Sequence, residues 1–185
     1  MIELRQVDPT QAEVADLIHQ LDEYQESMYP PESNHLDSVD ELSKTNVNFL
    51  AAYVDSVICG IGAVKVLNDY GEIKRLYVPG NYRGKGIAKE IVKELEYYLV
   101  KRSIFTARLE TGIHQNEAID LYKKLGYSRV KNPSAEGPAL VCPQRGSWIK
   151  TMEVLHHSVS ILSNPGPDTR RSRLTSLAGP FAAPY

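Results

Sequence analysis

The sequence predicts an α/β (more narrowly α+β) fold: one mixed, mostly antiparallel central sheet flanked by helices. Three stretches carry that prediction. From Asn48 to Val78, apolar β-type runs alternate with short turns, the pattern of a hairpin meander. From Glu72 to Leu95, a strand passes through a basic glycine loop into an amphipathic helix. From Ile104 to Val130, strand, helix and strand patterns follow one another.

Taken in order, Ile2–Val7 alternates apolar and polar residues like a short strand. Asp8-Pro9-Thr10 is a turn and helix start, and Val14, Leu17, Ile18 and Leu21 give helical spacing up to about Tyr24. Consecutive prolines in Tyr29–His35 break that helix. Ser38 and Glu41 stand at capping-box spacing and predict a short helix over Ser38–Lys44. Asn48–Val54 and Val57–Leu67 form a predicted hairpin across Asp55-Ser56, and Asn68–Gly71 is the next turn.

The strand Glu72–Val78 changes phase. Ile73 is odd-numbered whereas Leu76 and Val78 are even, so one regular strand cannot bury all three on one face. A bulge near Lys74-Arg75 repairs the phase, and a strand with both faces partly buried is the plainer alternative. Ile87, Ile91, Leu95 and Leu99 then recur every four residues on one helix face. Ile104–Thr111 alternates cleanly, Asn116–Leu125 is helical, Gly126 is a natural helix stop, and Tyr127–Val130 begins another strand. Asn132–Pro143 shows little periodicity, and Trp148–Leu155 is a final strand pattern. The expected domain is residues 1–155. From His156 onward, proline-rich sequence with an Arg170–Arg173 cluster predicts a disordered tail.

The chemistry concentrates in Asn81–Gly86. Its glycines permit a tight turn, the helix start leaves main-chain N–H groups unpaired, and Arg83 and Lys85 add positive charge. Together these make a seat for a pyrophosphate. A dinucleotide, a nucleotide and coenzyme A all carry one. The third glycine of a dinucleotide fingerprint is replaced by Lys89, and the loop follows a meander instead of a βαβ unit. No Walker A loop occurs, so coenzyme A fits best.

The bulk numbers exclude other classes. Hydrophobic residues make up 42% and charged residues 24%, as in ordinary globular proteins, and a net charge of −2 gives no reason to expect nucleic acid or an acidic membrane as partner. Cys59 and Cys142 lack zinc or disulfide spacing, and His156-His157 has no third ligand in view; no metal is expected. The acid-bearing N-terminus does not read as a signal peptide and no run is long enough to span a bilayer, so the expected location is cytoplasmic.

Asn81-Tyr82-Arg83-Gly84-Lys85-Gly86-Ile87-Ala88 and the downstream Asn116…Tyr122…Gly126-Tyr127 together resemble the GNAT superfamily of acyl-CoA-dependent N-acetyltransferases. YPPESNH (Tyr29–His35), GEIKRLYV and RLETG further resemble a small bacterial subgroup. The resemblance spans about Met1–Val130. Asn81 stands where the family prefers Gln or Arg, and the sequence after about residue 131 does not resemble the family's usual closing pair of strands.

The resemblance implies transfer of an acetyl group from acetyl-CoA to a primary amine of a small molecule or amino-acid-like acceptor, attacking directly in a ternary complex. It implies Glu72 as base and Tyr122 as the acid for the departing thiolate. Cofactor contacts would come from Leu76, Tyr77, Val78, Arg83, Gly84, Lys85, Gly86, Ile87, Ala88 and Asn116. Asn116 alternatively reads as a helix N-cap, Tyr122 as a core aromatic, and Glu72 as an exposed strand acid. Tyr29, Glu32, Asn34 and His35 fall where the family builds its acceptor pocket, and Lys74 and Arg75 are cations suited to a substrate carboxylate. A non-catalytic acyl-CoA-binding module and a protein N-acetyltransferase are the alternatives, and a homodimer is left open.

Overall fold

The computed structural model describes residues 1–29, 37–130 and 145–152. Glu32, Asn34 and His35, the stretch Asn132–Pro143 and the tail from His156 lie outside them. The chain runs β1 (Glu3–Gln6), α1 (Ala12–Met28), α2 (Val39–Leu42), β2 (Val47–Val54), β3 (Val57–Val66), β4 (Gly71–Tyr77), α3 (Ile87–Val100), β5 (Thr106–Gly112), α4 (Asn116–Lys124), β6 (Ser128–Val130) and β7 (Arg145–Thr151). A short 3-10 turn, Gly80–Tyr82, precedes α3.

The strands form one seven-stranded sheet in the order β1-β2-β3-β4-β5-β7-β6. Only the β4–β5 pair is parallel; the other five are antiparallel. The β2–β3 hairpin turns at Asp55 and Ser56, both at positive φ, which suits the right-handed twist of the strands it joins. Each face of the sheet has its own core. Val14, Leu17 and Ile18 of α1 and Leu42 of α2 pack on Phe49, Ala51, Ile61 and Ala63. The α3 stripe Ile87, Ile91, Leu95 and Leu99 packs on the other face with Val64, Ile73, Leu109, Tyr122 and Trp148. Ser38 caps α2 as its spacing predicted, accepting a bond from the Glu41 N–H at 3.3 Å.

The phase change in β4 is a bulge. Ile61 pairs with Tyr77 but Ala63 with Lys74, so β4 carries one extra residue there, and Arg75 sits at φ 55. Ile73, Leu76 and Val78 consequently all reach the α3 side of the sheet.

The C-terminal expectation is corrected. The closing strands are not lost: β7 pairs with β5 over seven residues and with β6 over three, and so sits between them. It spans Arg145–Thr151, starting earlier than the Trp148–Leu155 pattern, because its ladder to β5 continues through Gly146 and Ser147 without apolar residues.

Candidate active site

The parallel pair is short. Gly71, Glu72 and Ile73 pair with Ala107, Arg108 and Leu109, and there the pairing ends, although β4 continues to Tyr77 and β5 to Gly112. Beyond Ile73 the two strands part, leaving the facing main-chain groups of β4 without a strand beside them. A cavity of about 910 Å³ occupies this gap. It is walled by β4 from Ile73 to Val78, the glycine loop and start of α3, Glu110 and Thr111 of β5, much of α4, and Leu21, Tyr24 and Gln25 of α1.

One end is made of main chain. Gly84 and Gly86 have φ of 75° and 80°, a region costly for residues with a side chain. A Cβ at either would meet nothing within 4 Å, so both face open space. Gly86 is the N-cap of α3 and offers no side chain there, which leaves the N–H groups that open the helix directed at that space. Lys85 rests over the Tyr82 ring at 5.1 Å. Arg83 donates through Nε to the Val78 carbonyl at 3.0 Å and pairs with Glu117 of α4 at 3.1 Å, while its guanidinium lies 5.8 Å from the Tyr24 ring of α1. Glycine cradle, exposed helix start and basic loop fit a pyrophosphate, and the unpaired edge of β4 fits an amide-bearing arm.

The other end is made of side chains. Lys74 bridges Asp37 at 2.8 Å and Glu72 at 3.2 Å. Burial would lower the Lys74 pKa, but these two carboxylates outweigh it and hold the ammonium charged above its ordinary range. Arg75 has only 6% of its side chain exposed; it ion-pairs with Asp22 of α1 and donates to the Asp37 carbonyl. Both cations expected to take a substrate carboxylate are thus occupied inside the protein. Glu72 does not line the cavity; it stands on β4 beside Arg108 in register, on the sheet face that also carries Lys74. Tyr29 braces the loop after β5. It is 4% exposed, its hydroxyl accepts the His114 N–H at 3.3 Å, and its ring stacks on His114.

Tyr122 lies in the wall, 5% exposed, and burial pushes its phenol well above the ordinary tyrosine range. It therefore stays protonated and able to donate. Among the described residues its hydroxyl has no hydrogen-bond partner; the ring contact its side chain makes is with Tyr127. Asn116 also lines the cavity, but as the first residue of α4; Gln115 holds the N-cap position, its Oε1 accepting from Thr111 Oγ1 at 2.7 Å and the Gly112 N–H at 3.0 Å. Sequence reasoning passed over Glu110, Tyr24 and His114 as wall residues. For Glu110 a signal existed: in RLETG it alternates with Leu109 and so shares a face with Arg108. Among the described residues no cluster of His, Cys, Asp or Glu is placed to hold a metal, and no helix is long and apolar enough to cross a membrane.

A pyrophosphate cradle beside a parted sheet, with a protonated phenol in the wall, defines an acyl-CoA-dependent transferase. The chain belongs to the GNAT acetyltransferase family: residues 14–127 match the family described as Acetyltransferase (GNAT). It is 35% identical over 122 residues to an IAA acetyltransferase of Azospirillum brasilense, covering 65% of this chain and 80% of that one. The crystal structure of a candidate acyl-CoA N-acyltransferase from Klebsiella pneumoniae superposes with a TM-score of 0.67 at 31% identity, covering 83% of this chain and 99% of that one. The PaiA N-acetyltransferase of Thermoplasma acidophilum, solved with coenzyme A, shares the fold at a TM-score of 0.66 and 20% identity, over 82% of this chain and 99% of that one. The protein is an acetyl-CoA-dependent N-acetyltransferase.

Proposed function

We propose that the acceptor is a primary amine on a small molecule or amino-acid-like compound. The observation that carries this reading is that α1, the glycine loop and α4 meet around one cavity. Arg83 of the glycine loop reaches the Tyr24 ring of α1 on one side and Glu117 of α4 on the other. α1 contributes Leu21, Tyr24 and Gln25 to the wall, which narrows the room beside the strand edge and favours a compact acceptor over an extended polypeptide.

Gly84, Gly86, Ile87 and Ala88 would hold the pyrophosphate of acetyl-CoA, and the main chain of Leu76, Tyr77 and Val78, with Asn116, the arm beyond it. Bound there, acetyl-CoA supplies an activated acetyl thioester. An amine arrives as an ammonium and must lose a proton before it attacks. Glu72 is the carboxylate on β4 that would take that proton through water, since Lys74 occupies one of its oxygens at 3.2 Å. Glu110 is a second carboxylate, on the cavity wall itself. The unpaired N–H groups of β4 would stabilise the developing oxyanion, and Tyr122 would donate its proton to the leaving sulfur.

The test measures thiol release from acetyl-CoA with a panel of small amines, amino acids and peptides, in the wild type and in Glu72→Gln, Glu110→Gln and Tyr122→Phe. Turnover confined to small amines is expected, with Glu72→Gln and Tyr122→Phe each lowering kcat about a hundredfold. Turnover of peptides alone would make this a protein acetyltransferase. Full activity in Glu72→Gln with loss in Glu110→Gln would move the base to Glu110.

A further inference from the structure

We propose that Tyr127 is a positioning residue for Tyr122, itself anchored by a Glu96–Lys150 ion pair; the inference rests on the acid role assigned to Tyr122 above. With no hydrogen bond to its hydroxyl from the described residues, the direction of the Tyr122 phenol is set by what packs on its ring. The aromatic neighbour on that ring is Tyr127, edge-on, with centroids 5.7 Å apart and planes at 63°. The two residues are also joined through the main chain, the Tyr127 N–H donating to the Tyr122 carbonyl at 2.9 Å just after α4 ends.

What holds Tyr127 lies on the far side, away from the main cavity. Its hydroxyl donates to Glu96 Oε1 at 2.9 Å. Glu96 projects from α3 and is 9% exposed. Lys150 of β7 donates to both oxygens of that carboxylate, at 2.9 and 2.7 Å. Its Nζ also stands 5.6 Å from the Tyr127 ring. Three elements distant in sequence thus meet at one phenol: α3, β7 and the end of α4. A purely apolar contact would fill the space without fixing how the Tyr127 ring is turned. A phenol bonded to a carboxylate that is itself clamped at both oxygens has its rotation fixed. The edge presented to Tyr122 is then fixed with it.

The decisive variant is Tyr127→Phe, which keeps the ring and deletes only the bond to Glu96. Glu96→Ala is unsuitable because it leaves the half-buried Lys150 ammonium without the carboxylate that pairs it. Rates are measured per folded molecule, with the folded fraction from a circular dichroism melt, in a double-mutant cycle with Tyr122→Phe. If Tyr127 acts through Tyr122, Tyr127→Phe lowers kcat on the order of tenfold with KM for acetyl-CoA unchanged, and lowers it no further in the Tyr122→Phe background. An equal drop in both backgrounds, or none in either, overturns the inference while leaving the acid role of Tyr122 standing. If Tyr122→Phe alone retains full kcat, the acid role fails and the inference fails with it.

Discussion

The two ends of the cavity are built from different material. At the glycine-loop end, where we propose the cofactor sits, the parts are main chain: two glycines at positive φ, the first N–H groups of α3, and the edge of β4 beyond its pairing with β5. Toward α1 and α2 the surroundings are side chains tied into pairs by charge: Arg75 with Asp22, and Lys74 with Asp37 and Glu72. A main-chain site is specified by a local run of residues. A side-chain site depends on partners from α1, the segment before α2 and β4 coming together only when the fold is complete. The first tolerates changes in neighbouring side chains, and the second makes wall geometry and stability one property.

The sharpest way to separate the ends is Arg75→Met. It strands the partly exposed Asp22 carboxylate and the Asp37 carbonyl without their donor and is expected to cost about 3 kcal/mol of stability, since two acceptors lose their bonds to a buried guanidinium. Urea unfolding measures this. Acetyl-CoA affinity, by calorimetry on folded protein, should stay within about threefold, because the glycine cradle is untouched; a large loss of affinity would erase the distinction. Gly86→Val is the complementary break. Its φ of 80° disfavours a side chain, and the added methyls enter the open cradle. Acetyl-CoA binding should weaken about a hundredfold, equivalent to roughly 2.7 kcal/mol, with less loss of stability than Arg75→Met.

The smallest expected effect concerns the wall behind both ends. Burial raises the pKa of Tyr122, and burial with the Glu96 charge raises that of Tyr127. A raised folded-state pKa contributes stability that is complete below the unfolded value, about 10 for tyrosine, and is lost as pH climbs above it. Stability should therefore fall above about pH 10 by up to roughly 1.4 kcal/mol per pH unit for each phenol. The decline should be shallower in Tyr127→Phe when melting is followed from pH 9 to 11.

The same division explains what was legible in the sequence. The bulge could be read because Ile73 and Leu76 stand out of phase, and hydrophobic phase is a local signal. The glycine loop could be read for the same reason. The occupation of Lys74 and Arg75 could not, since Asp37 and Asp22 lie 37 and 53 positions away along the chain. Glu110 announced its face but not its neighbour, because alternation says which side of a strand a residue takes and nothing about where the next strand departs. The start of β7 was hidden because Gly146 and Ser147 lack β-propensity and are held by the ladder to β5.

The brief contact between β4 and β5 has one more consequence. Only three residue pairs sew the two halves of the sheet together, and the seam opens where we propose acetyl-CoA lies. A ligand lying along the β4 edge lengthens that seam, so binding and folding become thermodynamically linked. Each tenfold rise in free acetyl-CoA above its dissociation constant then adds about 1.4 kcal/mol to the folded state. An enzyme joined this way is most fragile when starved of its own cofactor.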